Sequence, residues 1–101
     1  MVPLSPLTRR HLALLFPTVS QLEAATLLEE HCGDSLPALG TQTTPESLER
    51  IRFAALKLSK GDLAQLHRAV DLAARDWRDL LVAAGFADDP RAHLSWQPRL
   101  E

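Results

Sequence analysis

The chain has no tyrosine, one cysteine, one methionine and four glycines among its 101 residues, and aromatic side chains make up 5% of it. With Cys32 alone, no internal disulfide can close and a cysteine-built zinc site is excluded. The glycines stand far apart, at positions 33, 40, 61 and 85, so no phosphate-cradling loop exists and nucleotide binding has no support. No apolar run approaches the roughly 20 residues of a membrane-spanning helix, and the first residues lack the basic-then-apolar pattern of a secretion signal. The expectation is a soluble, cytoplasmic protein that makes no membrane contact of its own. Neither charge dominates: 11 bases against 13 acids leave a net charge of −2, which offers no global attraction to nucleic acid.

What remains is ordinary globular material, 46% hydrophobic and 24% charged, at a length that suits one domain over residues 1–101. Leucine, alanine, arginine and the acids dominate, and all but aspartate favour helices, while β-branched residues are few. The reading is therefore all-α, a compact bundle of five to six short antiparallel helices. Ser5 before Pro6 has the form of an N-cap with proline in the first turn, and Pro17 ends that helix near Phe16. Its inward stripe is expected at Leu7, His11, Leu14 and Leu15. A second helix opens at Ser20, in capping-box spacing with Glu23, and closes at Gly33, with Leu22, Ala25, Leu28 and Cys32 facing inward. Residues 34–43 form a loop, with one short turn at Leu36 to Leu39.

Thr44 and Pro45 open a third helix with Leu48, Ile51, Ala55 and Leu58 on one face. Gly61 and Asp62 separate it from a fourth with Leu63, Leu66, Val70 and Ala73 at the same spacing. A break near Asp76 leads to a fifth with Trp77, Leu80, Leu81 and Ala84, closed by Gly85 with Phe86 packing back. A short sixth follows Asp89 and Pro90 and ends near Trp96. The expected core comprises Leu15, Leu22, Leu28, Ile51, Ala55, Leu58, Leu63, Leu66, Val70, Trp77, Leu80, Leu81 and Phe86.

No constellation for chemistry emerges. His31 and Cys32 are neighbours, and neighbours on a helix point about 100° apart, so His31 reads as a last-turn residue and Cys32 as a small buried group. His11, His31, His67 and His93 fall on four different helices with no zinc-ligand spacing. No catalytic residue, metal ligand or cofactor is expected, and the domain itself is read as not an enzyme. Charge, by contrast, is segregated. Residues 21–49 carry acids and no lysine or arginine, whereas Arg50, Arg52, Lys57 and Lys60 follow with no acid among them. Part of this reversal complements the dipole of the third helix. The rest suggests an interaction surface that pairs this basic run with Glu23, Glu29, Glu30 and Asp34, or with Asp76, Asp79, Asp88 and Asp89, because opposite patches orient a contact between folded modules. Such contacts propagate head to tail unless a two-fold axis closes them.

The "RIRFAALKLS" helix, the Gly61-Asp62-Leu63 restart, and the run Asp76-Trp77-Arg78-Asp79-Leu80-Leu81 followed by Ala84-Gly85-Phe86 and His93 to Trp96 resemble the bacterial death-fold group, meaning CARD-like or effector-associated domains. The resemblance spans Leu48 to Trp96, about half the chain; the N-terminal half fits the helix count without a diagnostic motif. It implies a six-helix adaptor that pairs with like domains and recruits or activates an effector, such as a protease or a gasdermin, in anti-phage immunity. Any enzymatic residues would then belong to the partner. The competing reading is a small helical nucleic-acid-binding regulatory domain with the fourth helix as its recognition element. Against it, that helix offers only Arg68 and Arg75 beside Asp62 and Asp71, fewer cations than phosphate contact requires.

Overall fold

The computed structural model describes residues 3–32, 45–88 and 91–96. These form four α-helices and a terminal 3-10 helix: α1 (Pro6–Leu15), α2 (Thr18–His31), α3 (Pro45–Ser59), α4 (Leu63–Ala84) and the 3-10 helix Ala92–Ser95. No strand occurs among the described residues. The bundle has a radius of gyration of 12.1 Å, against about 13 Å for a domain of this length.

The chain signals account for most of the boundaries. Ser5 caps α1 by accepting from the Thr8 amide at 3.1 Å, with proline in the first turn. Asp62 caps α4 through the Ala64 amide at 3.3 Å. Gly85 ends α4 at φ +81°, where its amide bonds to Val82 O (3.1 Å) and that of Phe86 to Leu81 O (2.9 Å). This is the paired arrangement that a left-handed residue makes possible at a helix C-terminus. Gly61, at φ +78°, answers a different need. A β-carbon there would stand 2.5 Å from the Leu15 carbonyl oxygen, so the α3–α4 corner presses directly on the end of α1.

α3 and α4 form the principal packing pair, and α3 is the central helix. Leu48, Ile51, Phe53, Ala54, Ala55 and Leu56 are all buried, so its covered surface is much wider than the single stripe its spacing predicts, and Leu58 is half-buried. Small Ala54 and Ala55 let neighbouring helices approach closely. α4 contributes Leu66, Ala69, Val70, Ala73, Leu80, Leu81 and Ala84, while Leu63 and Trp77 pack at the core margin. The break expected near Asp76 is one residue at φ −159°, ψ 96° inside an otherwise continuous α4. The Asp76 carboxylate accepts from the Arg78 amide at 3.0 Å, re-capping the helix after the bend.

Both N-terminal helices are rotated from expectation. In α1 the buried positions are Thr8, His11 and Leu12, with Leu15 half-buried and Leu7 and Leu14 exposed. Thr8 can face inward because its hydroxyl is satisfied at 2.9 Å from the Ser5 hydroxyl, a partnership that counting apolar residues overlooks. α2 starts at Thr18, not Ser20, directly after the extended Pro17, and no side chain caps it. Instead Gln21 Nε2 donates to Phe16 O at 3.0 Å and fastens the corner. The buried side of α2 is Ala24, Leu27 and Leu28, leading to buried Cys32, whereas Leu22, expected in the core, points outward. The expected Gly33 stop, the 34–43 loop with its turn at Leu36 to Leu39, the Thr44 cap, and the Asp89 and Pro90 signals lie outside the described residues.

Candidate interaction surface

Most of the basic run at α3 is engaged within the bundle. Arg52 is 3% exposed, with Nε donating to Cys32 O at 2.9 Å and Nη1 to Pro3 O at 3.0 Å, so it ties the segment before α1 and the end of α2 to α3. Arg50 donates through Nε to Phe86 O at 3.2 Å and through Nη2 to Phe86 O and Ala87 O. Lys57 donates to Ala84 O at 2.8 Å with its ammonium 4.9 Å from the centre of the Phe86 ring. The last turn of α4 contains no base of its own. Lys57 on α3 supplies positive charge to its last carbonyl, and Arg50 holds the chain just past its end. Of the four cations expected to face a partner, only Lys60 is exposed.

The acidic candidates divide as well. Glu29 lies 3.9 Å from Arg9 and is partly covered, while Glu23 lies 3.9 Å from His67 with both side chains more than half exposed. Exposed pairs at this distance contribute little to stability. Asp76 serves the bend in α4, Asp79 and Glu30 are exposed, and Asp34 lies outside the described residues.

Sequence reasoning missed a polar cluster whose members are far apart in the chain. The Ser5 hydroxyl donates to Glu49 Oε1 at 2.5 Å, and His93 Nε2 lies 3.9 Å from Glu49 Oε2. Serine, carboxylate and imidazole are therefore present together, yet the carboxylate stands between the other two. Activating a serine requires the imidazole against the hydroxyl and the carboxylate behind it, so this order holds the bundle together and does not prepare a nucleophile. Glu49 joins α1 to the 3-10 helix, and beside it Pro3, Leu4, Thr8, Leu48 and Arg52 line an open recess of about 320 Å³. The only early signal was Ser5 as a cap; its second partner, 44 residues away, has no local signature.

His93 and His11 complete an aromatic cluster. His11 stacks at 4.7 Å from Phe53 and 5.5 Å from Trp96, and Phe53 meets the His93 ring edge-on at 5.2 Å. His11 Nδ1 lies 2.9 Å from Leu7 O and Nε2 3.3 Å from Trp96 O, so the ring joins α1 to the C-terminal cap of the 3-10 helix. No group of three potential metal ligands converges among the described residues. Cys32 is buried, and burial pushes its thiol up to about 12 despite the opposing effect of Arg52, which keeps the sulfur protonated and unreactive.

The outer sides of the first two helices carry most of the large apolar side chains that reach solvent among the described residues, with Val82 on α4 and Leu94 on the 3-10 helix as the others. Of the six large apolar side chains exposed among the described residues, four are Leu7, Leu14, Val19 and Leu22. Val19 and Leu22 are 92% and 80% exposed on one side of α2, and Leu7 and Leu14 are 37% and 41% exposed on α1. No described helix is long and apolar enough to cross a membrane. No protein-family model matches the chain, and no curated protein and no solved structure does.

Proposed function

We propose that this domain is a protein-recognition module of the death-fold type, CARD-like or effector-associated, which assembles with like domains and so recruits or activates an effector, such as a protease or a gasdermin, in bacterial anti-phage immunity. The observation that carries this reading is the outer side of α2. Apolar residues occur all around that helix, but the bundle covers only the side bearing Ala24, Leu27 and Leu28, leaving Val19 and Leu22 in water. Clustered exposed apolar side chains favour burial against another protein. The described chain has four α-helices and a 3-10 helix, and the bend at Asp76 divides α4 into two parts, which is compatible with this reading. In this reading the working part of the domain is its exterior, with chemistry left to the recruited effector.

Light scattering over a range of protein concentrations at low salt tests the proposal. The wild-type chain should exceed the mass of one copy, and Leu22→Asp should return it to that mass with an unchanged helical circular dichroism spectrum. A chain that stays monomeric throughout would defeat homotypic assembly. Binding to duplex DNA that weakens steeply with added salt would favour the regulatory alternative.

A further inference from the structure

Building on the reading of the domain as a self-assembling module, we propose that two copies pair about a two-fold axis through their first two helices, with α1 of each lying on α2 of the other. Two exposed ridges carry the inference. On α1, Leu7, Arg10 and Leu14 recur at i, i+3 and i+7 and all are exposed. On α2, Val19, Leu22, Glu23 and Thr26 share the outward side in the same way.

The ridges carry opposite charge. α1 contains Arg9 and Arg10 and no acid, while α2 contains Glu23, Glu29 and Glu30 and neither lysine nor arginine. Arg9 is already beside Glu29, but Arg10 has no ion-pair partner among the described residues. Glu23 is 60% exposed and meets only His67, at 3.9 Å, leaving its carboxylate accessible to a second cation.

Charge selects among the possible pairings. Laying α2 on α2 would bring glutamates together around Leu22, and laying α1 on α1 would oppose the arginines. Crossing α1 onto α2 covers apolar residues with apolar residues and sets Arg10 against Glu23. The outward side of α4 is a poorer partner for α2, because Arg68, Asp71, Arg75, Asp76, Arg78 and Asp79 alternate in sign and offer no net attraction. Only Phe16 and Pro17 separate α1 from α2, and the two helices pack against each other, so a copy that reaches one ridge has the other helix close by. A single two-fold operation then makes the same contact twice and closes the assembly.

The test is light scattering and sedimentation of the full chain at low salt. The wild type should have twice the mass of the 11.2 kDa chain and no larger species. Arg10→Glu and Glu23→Arg should each raise the dimer dissociation constant at least about tenfold, because either change places like charges together at both copies of the contact. Mixing these two variants should restore a dimer containing one chain of each, and the double variant in one chain should dimerise alone. Assemblies that grow beyond two copies would overturn the two-fold closure. A dimer that Leu22→Asp disrupts, but that neither charge reversal weakens, would overturn the α1-on-α2 pairing while leaving homotypic assembly intact. A wild-type chain that is monomeric throughout would overturn both.

Discussion

Arg52 shows how much one side chain can connect when it is buried. Its guanidinium occupies the backbone carbonyls of Cys32 and Pro3 from the middle of α3, so three chain segments depend on it. Arg52→Met fills similar volume but leaves those carbonyls without their donors, and a drop of about 2–4 kcal/mol in unfolding free energy is expected by urea denaturation. Arg52→Glu adds an uncompensated negative charge and should destabilise further. Cys32 makes the complementary case. Its folded thiol titrates at about 12 against 9.0 in the open chain, so ionisation favours unfolding between those values. Stability present below pH 9 should fall by about 1.4 kcal/mol per pH unit as pH rises through that window. Denaturation of wild type and Cys32→Ala at pH 8.5, 9.5 and 10.5 checks this, since the variant should lack that component of the slope.

At the level of helices, the ends matter as much as the faces. α4 stops at a left-handed glycine; Lys57 from α3 donates to its final carbonyl at Ala84, and Arg50 to the carbonyls of Phe86 and Ala87 just beyond it. Lys57→Met keeps the aliphatic stem over Phe86 and removes the charge, so a loss of about 1 kcal/mol and a lower melting temperature are expected. The α3–α4 corner is stricter. Gly61→Ala brings a β-carbon against the Leu15 carbonyl at a backbone conformation that alanine adopts poorly, and should destabilise by at least about 2 kcal/mol in thermal unfolding. The bend at Asp76 was legible because aspartate favours caps over helix interiors. The start of α2 was not: Ser20 and Glu23 have the spacing of a cap, but the extended Pro17 already takes the N-cap position, and the helix begins two residues earlier at Thr18.

For the whole molecule, the proposed self-association would link stability to concentration. If folded copies bind one another, the melting temperature should rise with protein concentration, and Leu22→Asp should flatten that dependence. The polarity of the exterior also differs from what charge order along the chain suggests. Arg50, Arg52 and Lys57 turn toward carbonyls, whereas Arg9 and Arg10 on α1 and Glu23 and Glu30 on α2 are exposed. Linear charge runs identify which residues are charged; they do not say which are already occupied.

Local chemistry was enough to establish an all-helical chain, the caps at Ser5 and Asp62, the stop at Gly85, and the burial of Ile51, Leu66, Val70 and Leu80. Each of these follows from residues within a turn or two of one another. Rotation of α1 and α2, the inward course of the α3 cations and the meeting of Ser5, Glu49 and His93 required the folded arrangement. Those features depend on partners tens of residues away, where a hydroxyl or guanidinium enters the interior because a distant carbonyl or carboxylate awaits it.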